Sequence, residues 1–191
     1  MKKRYVMSIL CVILCVILCS CSAKGHLGSS FIEHFKSLSE FPCGKNLKHM
    51  PLPTKDTISY NILAEKFLLP INSLEFAANY TPSTYCYLGK YEIDKGYYIL
   101  ACKVFYNFHD SRIILYTYNA NQDIVTSSLL VGCHDNSLTI ESEYKNGIID
   151  IETTYKKVPN GLDPPEGREY IQKKYKKQYH INKNFCFAEY K

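Results

Sequence analysis

Leu138-Thr139-Ile140-Glu141-Ser142-Glu143-Tyr144-Lys145-Asn146-Gly147-Ile148-Ile149-Asp150-Ile151-Glu152-Thr153-Thr154-Tyr155 decides the fold. Asn-Gly between two alternating runs is the strongest short-range hairpin signal, because a two-residue type I′ turn needs positive φ at both central residues. Such a turn pairs Lys145 with Ile148. Counting outward pairs Tyr144 with Ile149, Ser142 with Ile151, Ile140 with Thr153 and Leu138 with Tyr155, all on one mostly apolar face. Glu143 then meets Asp150, and Glu141 meets Glu152, on the other face. A slip of one residue would turn every apolar side chain outward, so the pattern specifies its own register.

The same texture extends to both sides of this hairpin. From Thr84 onward, runs rich in Tyr, Ile, Val and Leu alternate with turn clusters every ten to twelve residues or so, as in an antiparallel meander. Strands are expected over 84–93, 96–107, 112–119, 123–132, 137–145, 148–157, 168–181 and 184–190. The turns are Asp94-Lys95-Gly96, His109-Asp110-Ser111, Asn119-Ala120-Asn121-Gln122, Cys133-His134-Asp135-Asn136, Asn146-Gly147, the Pro159–Gly167 loop and Asn182-Lys183-Asn184. Residues 168–179 also satisfy a helical spacing through Ile171, Tyr175 and Tyr179, and the β context favours strand. The expected class is mainly β (α+β): a meander of about eight strands, curled or barrel-like, with a short helical N-terminal segment. Seventeen tyrosines and no tryptophan suit such a sheet with a half-exposed face.

Upstream of the sheet, Ser30-x-x-Glu33 has the form of a capping box, and Phe31, Phe35 and Leu38 follow at helical spacing. They predict a helix over 31–40, ended by Phe41-Pro42. A second helix is expected over 62–69, among Pro51, Pro53 and Pro70. The chain is therefore divided into residues 1–20, a small polar tether over 21–30, and one β-rich domain over 31–191, of which 31–83 is helical or irregular and 84–191 is sheet.

Residues 1–20 read as a leader. Met1-Lys2-Lys3-Arg4 is basic, Tyr5 to Cys19 is apolar, and Leu18-Cys19-Ser20-Cys21 closes the segment. Fifteen helical residues reach only about 22 Å, short of a hydrocarbon core of roughly 30 Å, which argues against a retained membrane span. Leu18-Cys19-Ser20-Cys21 resembles the lipobox of bacterial lipoproteins. The resemblance implies cleavage between Ser20 and Cys21, lipidation of Cys21 and attachment to a membrane. Cys11 and Cys15 follow leucines and lack the small residue before them.

Ile114-Leu115-Tyr116-Thr117-Tyr118-Asn119-Ala120-Asn121-Gln122-Asp123-Ile124 and Tyr179-His180-Ile181-Asn182-Lys183-Asn184-Phe185 carry a second resemblance. Together they are similar to an uncharacterised type of lipoprotein common in Bacteroidetes envelopes. That likeness implies a location and an antiparallel sheet, and no activity. Surface-exposed lipoproteins of that group often carry acidic residues after the lipidated cysteine. Ser22-Ala23-Lys24-Gly25 has none, so a domain facing the periplasm is expected. Asp56-Thr57-Ile58 resembles the short Asp-Thr-aliphatic motif of O-glycosylation in the same group.

Composition narrows the function classes. The formal charge of +5 loses Lys2, Lys3 and Arg4 with the leader and falls to +2. A near-neutral exported chain gives no reason to expect nucleic acid. No cofactor is expected, and a protein or glycan partner is left open. Of nine cysteines, Cys43, Cys86, Cys102, Cys133 and Cys186 would remain for the domain. None forms a C-x-x-C pair, and an odd number leaves at least one free thiol. The chain has no G-x-S-x-G elbow, H-E-x-x-H, P-loop or G-x-G-x-x-G.

Two constellations carry candidate chemistry. Glu141, Glu143, Asp150 and Glu152 oppose like charges across the hairpin, which destabilises a sheet unless offset. Calcium takes carboxylate oxygens. Yet Arg168, Lys174 and Lys176 alternate on the next strand, with Lys156 and Lys157 nearby, and a salt-bridge ladder is the preferred reading. The second constellation is topological, since alternate turns of a meander share one end of the sheet. His109, Asp110, Cys133, His134 and Asp135 therefore fall at one end, on strands about 9.6 Å apart, with a donor set suited to zinc. A Cys-His-Asp trio also fits a hydrolase nucleophile. Asp and Asn are equally ordinary turn residues, and adjacent Cys133 and His134 point to opposite faces of an extended chain.

Overall fold

Asn146 and Gly147 adopt φ of 53° and 83°, the two positive values that a type I′ turn needs. The flanking strands pair as the alternation dictates: Lys145 with Ile148, Glu143 with Asp150, Glu141 with Glu152, and so on to Leu138 with Tyr155. The computed structural model describes residues 31–48, 57–68, 84–105, 111–134, 137–156 and 172–190. The chain divides into two units, 1–34 and 35–191. In the first, residues 31–33 form a single helical turn, with the Phe31 carbonyl accepting the His34 N–H at 3.4 Å.

The second unit is a meander of eight antiparallel strands in sequence order: β1 (Thr84–Asp94), β2 (Tyr97–Phe105), β3 (Ser111–Asn119), β4 (Ile124–His134), β5 (Leu138–Lys145), β6 (Ile148–Lys156), β7 (Gln172–Ile181) and β8 (Phe187–Glu189). The sheet is not closed into a barrel. β4 and β5 share a ladder only at Cys133–Ile140 and His134–Thr139, and beyond those pairs the two strands diverge. A short helix, α1 (Gly44–Leu47), fills the opening. Its Gly44 N–H donates to the Ser142 hydroxyl at 2.7 Å, and that hydroxyl donates to the Val131 carbonyl at 2.7 Å. One buried serine thus joins helix, β4 and β5. A Cβ on Gly44 would stand 2.4 Å from the Val131 oxygen, so no larger residue fits without moving backbone. Asn46 fixes the turn by accepting the Cys43 N–H at 2.8 Å and donating to the Phe41 carbonyl at 2.9 Å.

The core explains the strand sequences. Ile99, Ala101, Ile113, Leu115, Leu129 and Val131 cluster with Ile140, Ile149 and Ile151 of the hairpin and with Phe41 and Leu47. Phe41 stacks on Tyr144 at 3.9 Å and meets Tyr91 edge-on at 5.6 Å. On the opposite face of β1–β3, Phe35 packs edge-on to Tyr87 and Phe67 to Tyr116. β2 is covered on both sides, which is why Ile99 to Cys102 form an unbroken apolar run of fully buried residues. Each fully buried aliphatic or aromatic side chain contributes about 1.5–3 kcal/mol.

Parts of both sheet edges are occupied. Along β1, Leu38 N–H donates to Lys90 C=O at 2.8 Å, Lys90 N–H to Lys36 C=O at 2.7 Å, and Ile58 N–H to Tyr85 C=O at 2.8 Å. At the far edge, β8 has three residues, and Phe187 N–H donates to the Ser127 hydroxyl of β4 at 3.0 Å.

Several sequence expectations need correction. The helix over 31–40 is a single turn at 31–33, after which Ser37 bridges Lys90 as extended chain. Two backbone bonds to the edge of β1 win over the helical spacing of Phe35 and Leu38. Cys133 and His134 belong to β4 rather than to a turn. Asn184 and Phe185 lie in a turn before β8, with Asn182 Oδ1 accepting the Asn184 and Cys186 N–H groups. The second helix starts earlier, as α2 (Tyr60–Ile62), and continues as a π-helix over Leu63–Leu68. Nothing in the local sequence pattern marks helix α1.

Candidate functional site

The acid ladder stands where its alternation puts it, and lysines from both sides hold it. Lys174 and Lys176 of β7 reach Glu152 at 3.1 and 3.4 Å. Lys45 of α1 reaches Glu143 at 3.2 Å, and Lys48, one residue beyond it, reaches Glu141 at 3.9 Å. Asp150 accepts the Gln178 carboxamide at 2.7 Å. Four carboxylates therefore lie in two columns between two flanking rows of donors. The hydrogen bond and charge of Lys174, helped by Lys176, hold the Glu152 carboxyl below its ordinary value of 4.5. These groups are largely solvent-exposed, so each pair contributes little alone. Together they remove the repulsion that the facing carboxylates would otherwise exert.

Beside this face, where β4 and β5 separate, a cleft of about 810 Å³ opens. Its walls include the ladder carboxylates, Lys45, Lys48, Lys176, Lys177 and Gln178. Lys103 of β2, Ser111 and Ile113 of β3, and Gly132 and Cys133 of β4 also line it. Its size suits a small molecule. The divergence of β4 from β5, propped by Gly44 and Ser142, is what brings residues of β2, β3, β5, β6 and β7 around one space.

The loop-end constellation divides differently. Cys133 is buried in the apolar core opposite Ile140 and also lines the cleft. His134 pairs with Thr139 through its backbone, and His109, Asp110 and Asp135 lie outside the described residues. So do Cys21, Ser20, Arg168, Lys157 and the Pro159–Gly167 loop. Among the described residues, no three His, Cys, Asp or Glu side chains are grouped to hold a metal ion.

No disulfide joins the described cysteines. Burial pushes the Cys102 thiol far above its ordinary value, with Cys86 adding to the shift. Burial also raises Cys86, and the Lys103 charge partly offsets it. A polar cluster elsewhere joins Tyr118, whose hydroxyl donates to Asp123 at 2.5 Å, to Lys66, which pairs with the same carboxylate. This cluster ties the π-helix to the β3–β4 turn.

Lys174 and Lys176 were visible as partners from their alternation along β7, and Gln178 continues the same alternation. Lys45, Lys48 and Lys103 gave no signal in the sequence, since nothing local shows that residues 44–48 lie against β5. No family model, curated protein or solved structure matches this chain.

Proposed function

We propose that this chain is a lipid-anchored cell-envelope protein that faces the periplasm and acts by binding a ligand in the β4–β5 cleft. The observation that carries the reading is Leu18-Cys19-Ser20-Cys21 behind a basic start and an apolar run too short to span a bilayer. Lipid on Cys21 would anchor the chain, because each buried methylene contributes about 0.8 kcal/mol. The cleft supports a binding role. Its carboxylates are engaged by lysine and glutamine donors, an arrangement that suits recognition of a polar ligand.

Intact-mass analysis of protein from the membrane fraction tests the anchor. The expected species lacks residues 1–20 and carries a diacylglycerol plus an acyl increment on Cys21. Cys21→Ser should leave the chain unprocessed or without lipid. A mature chain that starts elsewhere and carries no lipid would overturn the proposal.

A further inference from the structure

The least exposed lysine of the cleft is the one without a counter-charge among the described residues. Lys45, Lys48, Lys176 and Lys177 have side chains between 54% and 80% exposed, and each pairs with a carboxylate. Lys103 is only partly exposed and stands opposite Ile113 on β3 and Cys86 on β1. Its ammonium lies 5.4 Å from the centroid of the Phe105 ring, and no carboxylate among the described residues pairs with it. An ammonium with no opposite charge beside it can form a charge-assisted hydrogen bond to an arriving anion. Thr139 lines the same cleft, and its buried hydroxyl has no hydrogen-bond partner among the described residues.

We propose that Lys103 is the anchor for an anionic small molecule that occupies this cleft, recognising one carboxylate or phosphate group. The rest of the lining limits that molecule further. Glu141, Glu143, Asp150 and Glu152 line the same cleft and already engage Lys45, Lys48, Lys176 and Gln178, so their oxygens can only accept further hydrogen bonds. The ligand carries its anion at one end and neutral or cationic hydrogen-bond donors at the other. The inference rests on the cleft being the binding site. It does not depend on the lipid anchor, so the mass analysis above and the titration below fail separately.

The test uses the full chain purified in detergent, with its lysines reductively ¹³C-methylated, which keeps their charge. Inorganic phosphate and acetate are titrated separately against sodium chloride of equal ionic strength, and the methyl resonances are followed. The Lys103 resonance is assigned by its absence in Lys103→Arg. The expected result is a saturable shift of that resonance, while the other lysines move only as they do in chloride. Saturation by phosphate or by acetate identifies the anion class. Lys103→Gln should weaken the interaction about tenfold or more, read by the thermal midpoint in the same titration, and Lys103→Arg should retain it. A Lys103 resonance that never saturates with either probe overturns the proposal. So does a midpoint response in a folded Lys103→Gln equal to that of the unaltered chain. If Lys103→Gln does not fold, the resonance titration of the unaltered chain decides alone.

Discussion

Replacing Ser142 with alanine removes one oxygen from the point where β4, β5 and α1 meet. The hydroxyl is buried and makes two hydrogen bonds of 2.7 Å, one from Gly44 N–H and one to Val131 C=O. Alanine adds no steric bulk, so the cost comes from the two groups left behind. A buried polar group that loses its partner costs about 1–3 kcal/mol. Gly44 and Val131 are both buried, and a loss of about 2–4 kcal/mol is expected. With a urea m-value of about 2–3 kcal/mol/M, the unfolding midpoint should fall by roughly 0.7–2 M. Gly44→Ala should destabilise through the same wedge, because its Cβ would meet the Val131 oxygen at 2.4 Å. Once that Cβ has displaced α1, removing the hydroxyl should cost less. The double variant should therefore lose at least about 0.5 kcal/mol less than the sum of the single losses. A Ser142→Ala loss below about 0.5 kcal/mol, or full additivity with Gly44→Ala, would refute the wedge.

Gly147→Val forces a β-branched residue to a φ of 83° with no side-chain neighbour within 4 Å. The expected loss of about 1–3 kcal/mol in a thermal melt is therefore a backbone effect, and Gly147→Asn should cost less. Because the Glu152 carboxyl is held below its ordinary value, its contribution is present above that value and is lost as pH falls through the depressed one. Acid melts between about pH 5 and 3 should show a shallower decline in Glu152→Gln than in the unaltered chain, and equal slopes would contradict the ion pairing. At fixed ionic strength, millimolar calcium should leave the melting midpoint unchanged. A calcium-dependent rise that disappears in Asp150→Asn would show that the acid face holds a metal.

The hairpin was legible because everything that specifies it is local. Asn146-Gly147 admits one turn geometry, and the alternation of Ile140, Ser142, Ile149 and Ile151 admits one register. The meander followed from the same period repeated along the chain. Ser142 looked like a polar residue on an apolar face, and its reason was invisible there, since its donor is 98 residues away. The same distance in sequence hid Lys45 as the partner of Glu143. The misread helix shows the opposite effect. Phe31, Phe35 and Leu38 have the spacing of a helix, yet β1 offers backbone partners to Lys36 and Leu38, and those bonds require extended chain. Half of the acid-face pairing could be read from alternation along β7. The cleft could not, because it exists only where β4 and β5 stop pairing.

The occupied edges of the sheet bear on how copies of this protein behave when packed side by side. A bare edge strand is a template on which another chain can polymerise through its backbone. Here the Tyr85–Lys90 stretch of β1 already bonds residues 36–38 and 57–58, and β8 is three residues long with its Phe187 N–H committed to Ser127. At these stretches an incoming strand must first evict a resident segment. Where the edge is covered in this way, neighbouring copies can meet only through side chains, and surface charge weighs on the outcome. Such contacts are reversible and sensitive to salt, whereas growth of a shared sheet runs one way.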